Sequence, residues 1–208
     1  MLKETFTNLA KGYSDDLEQV DRLWEELVSF YADEHRYYHS LSHLENVFLR
    51  LKEVRELISD WDVVLFSLFY HDVIYDVEKP DNEEQSADLA EKRLLQLQVP
   101  VARIQKCREQ ILATKNHDFH SDRDTNYFTD ADLSILGQDW ETYLAYAENV
   151  RKEYAVFPDA VYNPGRTRVL KHFLQMDRIF KTDYFYDRLE KQAKENMQRE
   201  LELYRLPG

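Results

Sequence analysis

Apolar residues recur at steps of three and four along most of the chain. Leu17, Val20, Leu23, Trp24, Leu27, Val28 and Tyr31 line one helical face and predict a helix from about Asp16 to Ala32. A second begins near Ser42: Ser42 with Glu45 matches a capping box, and Leu44, Val47, Phe48, Leu51 and Val54 form its stripe. The segment Trp61 to Tyr75 is apolar nearly all round, which predicts a central helix. After a Lys79-Pro80-Asp81 loop, helices are expected over Asn82 to Gln98 and, with Pro100 in its first turn, up to about Lys115. The polar stretch HDFHSDRDTN reads as a loop, Thr129 to Leu136 as a short helix closed by Gly137, and Trp140 to Phe157 as a longer one. Pro158 to Pro164 reads as a turn, followed by closing helices over Arg166 to Phe173 and Tyr184 to Leu203. No strand pattern competes, so the expected fold is all-α.

One position disturbs that pattern. In VVLFSLFYHDVIYD an imidazole and a carboxylate, His71 and Asp72, sit side by side within the apolar helix. An ionised carboxylate among Val, Leu and Phe is disfavoured by several kcal/mol unless it takes a proton or gains a cationic partner. Two further groups lie near helix ends, His43 and Asp132. Together the four offer nitrogen and oxygen ligands to a borderline divalent metal, with coordination positions left for water and substrate. A metal ion would then compensate Asp72. His43, in the first turn of its helix, sits where the macrodipole disfavours the imidazolium and keeps a neutral ring.

Composition narrows the setting. Four glycines and five prolines in 208 residues, with no linker-like tract and no internal repeat, are read as one domain over the whole chain. With 27 Lys+Arg against 40 Asp+Glu and no basic run, the charge of -13 argues against nucleic-acid polymers and anionic membranes as partners. Cys107 is alone, so no intrachain disulfide forms. The start, MLKETFTNLAKGYSDD, lacks a signal-type apolar core and no stretch reaches the length of a membrane span, so a cytoplasmic location is expected. The oligomeric state is left open.

The set resembles the HD superfamily of metal-dependent phosphohydrolases, whose signature is a His, a His-Asp doublet on a buried helix, and a distant Asp. Here these are His43 in HSLSHLENV, His71 and Asp72 in LFYHDVIYD, and Asp132 in FTDADLSILG; with NEEQSA at Asn82 to Ala87 the likeness runs from about Arg36 to Tyr154. The resemblance implies a single HD-type helical domain around a metal site, with the C-terminal helices over about 166–205 packed on that core. It implies hydrolysis of a small phosphorylated molecule such as a nucleotide, with one divalent ion (Mn, Fe, Co, Ni, Zn or Mg) held by His43, His71, Asp72 and Asp132.

Two departures stand out. Asn46 occupies the place where many relatives carry an Arg, and the DAD triplet makes Asp130 a rival to Asp132. Asp132 is preferred, since the family's Asp follows a small residue and precedes an apolar turn. The bland alternative for Asp132 is a cap, with Thr129 at N-cap and Asp132 at N3.

Asp72, or Glu83 through a water, is the candidate base, and Lys115, Arg151 or His117 the candidate stabiliser of phosphoryl charge. His39, Arg151 and Arg166 are candidate substrate contacts; each also has a plain structural reading, as a loop residue or an exposed helical arginine. His39 and His117 could complete a second metal site. A nucleotide sensor without turnover and a di-iron oxygenase of the same fold are the alternatives.

Overall fold

The computed structural model describes residues 1–204. Among them the regular structure is entirely helical. The described residues divide into two compact units, Met1–Thr129 and residues 130–204.

The first unit opens with a helix that the stripe reading does not single out, α1 (Leu2–Lys11), which buries Leu2, Phe6, Leu9 and Ala10. Next is α2 (Leu17–Tyr31), whose N-cap Asp16 accepts from the Gln19 amide. α3 (Leu41–Glu53) begins earlier than its expected capping box. Ser40 is the N-cap and makes no side-chain cap bond, so Ser42 lies inside the first turn and the Ser42–Glu45 box does not form. A 3-10 turn, Arg55–Leu57, leads to α4 (Trp61–Tyr70). As its all-round apolarity predicts, α4 is central: every residue from Val63 to Tyr70 is buried, against α1, α3, α5 (Asn82–Gln96) and α6 (Val101–Ala113). Phe69 meets Phe6 edge-on at 5.2 Å and Trp24 at 6.3 Å. Each such side chain contributes roughly 1.5–3 kcal/mol by leaving water.

Two boundaries differ from expectation and both bear on the site. α4 stops at Tyr70, with His71 as C-cap, instead of continuing to Tyr75. The helix expected from Thr129 starts earlier, as α7 (Arg123–Asp132), where the Asp122 carboxylate accepts from the Thr125 amide at 3.0 Å and its hydroxyl at 2.8 Å. Thr129 is therefore within the helix, its hydroxyl donating to the Asn126 carbonyl, and is not a cap paired with Asp132.

The second unit holds a 3-10 turn, Leu133–Gly137, and helices α8 (Trp140–Glu153), α9 (Asp159–Gln175) and α10 (Asp183–Leu203). The expected Pro158–Pro164 turn is instead the start of α9: Pro158 is its N-cap and Pro164 lies inside it. Pro fits the first turn, and further in it removes one hydrogen bond. Gly137 is required for space, since a Cβ there would meet Leu189 Cβ at 2.5 Å and its carbonyl oxygen at 2.8 Å. The last helix ends at Leu203, where the pattern predicts; position 205, the end of the span implied by the resemblance, lies outside the described residues.

Candidate metal centre

The end of α4 creates the centre. The His71 amide still donates to Ser67 O, so His71 keeps helical geometry, while Asp72 lies just past the helix. His71 Nδ1 is 2.9 Å from Leu68 O; a carbonyl only accepts, so Nδ1 carries the proton and a neutral ring presents a bare Nε2 lone pair. That Nε2 is 3.2 Å from His43 Nε2 and 3.0 Å from Asp72 Oδ2. His43 Nε2 is 3.5 Å from the same carboxylate oxygen.

Three donor atoms thus converge on one point from the first turn of α3 and the end of α4. Donors held about 2.0–2.2 Å from one ion stand roughly 3.0–3.6 Å apart in octahedral or tetrahedral arrangements, and the three distances match. Both imidazoles are buried, and their facing nitrogens with a carboxylate beside them could hold a cation. Burial works against ionisation of Asp72, but with the histidines protonated the charge of His71 and the hydrogen bonds from His43 and His71 hold its carboxyl well below the usual carboxylate range; the neutral His71 ring, with its proton on Nδ1, makes no such bond.

The fourth expected ligand is on α7, an unbroken helix that starts among the residues of the first unit and ends at Asp132. Asp132, the last residue of α7, is partly buried and belongs to the second unit. Its rival is otherwise engaged. The Asp130 carboxylate accepts from the Lys181 amide at 2.8 Å, the Thr182 amide at 2.7 Å and the Thr182 hydroxyl at 2.7 Å, tying down the entry to α10.

The turn after α4 is held by residues to which the sequence reading assigned no role. Arg36 donates to the Asp72 carbonyl at 2.6 Å and the Val73 carbonyl at 2.9 Å, from between the rings of Tyr31 and Tyr75. From α5, Ser86 accepts from the Ile74 amide at 3.0 Å, and the Asn82 amide group both accepts from Asp76 N and donates to Asp76 O. NEEQSA thus clamps the His-Asp turn. In the sequence Asn82 and Ser86 stand out only as part of NEEQSA in the family likeness, and nothing local marks Arg36.

The other expected site residues separate into groups. His39 stacks on Tyr75, with ring centroids 4.1 Å apart, and lies 5.8 Å from the His43 ring, beside the centre. Glu83 and Lys115 face each other at 3.7 Å, while the Lys115 ammonium also binds Glu84 at 2.6 Å and the Pro80 carbonyl at 2.7 Å. His117 follows α6 with a left-handed φ of 54°, uncommon for a residue with a side chain.

The two arginines expected at substrate are committed within the second unit. Arg166 forms a buried two-point pair with Glu200, at 2.8 and 3.0 Å, and donates to the Tyr146 hydroxyl. Arg151 joins the end of α8 to the start of α9 through Asp159, Tyr154 O and Phe157 O. In each case the guanidinium edge suited to a phosphate already holds a carboxylate, which the bare sequence could not reveal.

No family model, curated protein or solved structure matches the chain.

Proposed function

We propose that the chain is a metal-dependent phosphohydrolase of HD type acting on a small phosphorylated molecule, such as a nucleotide. The observation that carries this reading is the convergence of His43 Nε2, His71 Nε2 and Asp72 Oδ2 within 3.0 to 3.5 Å. Two neutral nitrogen donors with two carboxylates suit Mn, Fe, Co, Ni, Zn or Mg, and leave positions for water and an anionic substrate. A divalent ion there would supply positive charge for phosphoryl oxygens and lower the pKa of a coordinated water. That charge matters in a chain of net charge -13, which otherwise repels phosphate.

The chain's own residues have distinct parts in this reading. The Leu68 carbonyl fixes the His71 tautomer, and Arg36, Asn82 and Ser86 hold the turn that aims Asp72. Glu83 is assigned as proton acceptor for the attacking water, with Lys115 and His117 supplying charge to the phosphoryl oxygens; His39 lines the approach beside Tyr75. Arg151 and Arg166 have no role in it.

The test is elemental analysis of purified protein, then a screen of phosphorylated metabolites with each of the six ions. Turnover is expected to release phosphate or pyrophosphate and to place solvent oxygen in the product. Glu83→Gln should stay metal-replete and turn over about 10²–10⁴-fold more slowly. Protein that retains metal and binds a nucleotide tightly without turning over any substrate would make the centre a sensor, and two irons per chain would point to oxygen chemistry.

A further inference from the structure

α1, α3, the Arg55–Leu57 turn and α4 border an open cleft of about 480 Å³ that includes none of the metal-centre residues. Its walls are apolar, with Leu9, Phe48, Trp61 and Leu65, and two cations, Lys52 and Arg55, stand at it. The Lys52 ammonium lies 5.7 Å from the Phe48 ring centroid, and the Arg55 guanidinium 4.9 Å from that of Trp61. The two rings are neighbours, with centroids 6.5 Å apart.

These cations are unusual here. Acidic residues outnumber basic ones 40 to 27, and other arginines nearby have carboxylate partners: Arg50 pairs with Glu53, and Arg103 with Asp60 and Asp62. Lys52 and Arg55, among the described residues, have aromatic faces as partners and no carboxylate within ion-pair distance. The one carboxylate lining the cleft, Asp62, is already neutralised by Arg103 and accepts from the Tyr13 hydroxyl at 2.7 Å. The cleft therefore combines an apolar floor with two positive charges that no carboxylate among the described residues pairs with.

We infer that this cleft is a second ligand site, for a small organic anion whose flat apolar body lies against Leu9, Trp61 and Leu65 and whose charged end sits between Lys52 and Arg55. An apolar wall alone would take any greasy molecule, and two exposed cations alone would take any anion weakly; the pairing selects molecules with both features. Trp61 begins α4, the helix that ends at His71, so a ligand here contacts the same helix that positions a metal ligand.

The experiment is calorimetric titration of the full chain, with its metal bound, using phenylphosphonate, which has both features and resists hydrolysis. Phenylphosphonate should bind with at least about tenfold higher affinity than inorganic phosphate, which lacks the ring, and than benzyl alcohol, which lacks the charge. Lys52→Ala/Arg55→Ala should weaken it at least about tenfold with unchanged melting, since both positions are exposed. Binding should alter the tryptophan fluorescence of the wild type, with that change removed in Trp61→Phe while affinity is kept. Asp132→Ala should bind phenylphosphonate as the wild type does, whether or not the metal centre is catalytic. Absence of binding at millimolar concentration, equal affinity in the double variant, equal affinity for inorganic phosphate, or loss of binding in Asp132→Ala would each overturn the inference.

Discussion

Asp130 and Asp132 sit two positions apart near the end of α7 and serve different ends. Asp130 is buried and satisfies three donors of Lys181 and Thr182, whereas Asp132 is the fourth metal ligand of the proposed reading. Asp132→Ala should therefore lower metal content with a modest effect on metal-free stability. Asp130→Ala should keep the metal and lose roughly 2–4 kcal/mol in denaturant titration, because buried amides are left unpaired. Local context favoured Asp132 in the sequence; what occupies Asp130 lies about fifty residues further along the chain and had no local sign. Arg166 gives the same lesson. Arg166→Met should cost roughly 3–5 kcal/mol by stranding the Glu200 carboxylate, with much of the loss recovered in Arg166→Met/Glu200→Leu. Burial opposes the charge on Glu200, yet the hydrogen bond and charge of Arg166 hold its carboxyl below the ordinary glutamate value of 4.5. This pair stabilises the folded state above that value, and its contribution is lost as pH falls through the depressed one. Acid unfolding monitored by circular dichroism should thus be less steep in the double variant.

At the scale of elements, helix identity came from periodicity and helix ends came from particular bonds. Asp16 and Asp139 each accept from an amide in the first turn of their helices, so Asp16→Ala or Asp139→Ala should cost about 1 kcal/mol in thermal melts. Ser42→Ala should be nearly neutral, because Ser42 caps nothing. A loss of 1 kcal/mol there would restore the capping box. The Ser-x-x-Glu signature misled because helix entry is set by where the backbone turns, and here the chain enters at Ser40. The early end of α4 is equally non-local: Arg36, Ser86 and Asn82 capture the carbonyls and amides of Asp72 to Asp76 that a longer helix would have used. Gly137→Ala should destabilise by roughly 1–3 kcal/mol through its clash with α10, although the glycine looked from sequence like a simple helix terminator.

At the scale of the molecule, Cys107 reports on the first unit. It is fully buried, and burial pushes its thiol up to about 12, against a hydrogen bond to Ser67 and the charge of Arg108. The thiol group's contribution to stability is whole below the unfolded value of 9.0 and is lost as pH rises toward 12. At pH 8 a thiol reagent should therefore label Cys107 only through opening of the structure. Removing the metal should speed that labelling. For an ion present at 100 times its Kd, linkage sets the acceleration at about a hundredfold. An unchanged labelling rate after chelation would mean that the ion does not stabilise the unit containing His43, His71 and Cys107.

The sequence by itself determined that the chain is helical, that Trp61 to Tyr70 is central, and which His and Asp residues could serve one site. Apolar spacing encodes burial directly, and a carboxylate beside an imidazole in an apolar helix calls for a proton or a cationic partner. Only the tertiary structure decided which carboxylates and guanidinium groups were free for chemistry. Asp130, Arg151 and Arg166 look like ligands or clamps when read singly, but their partners come from other helices or from beyond the end of their own. Whether a buried charge holds a ligand or holds the fold depends on what faces it, and that is a property of packing, which no local spacing of residues records.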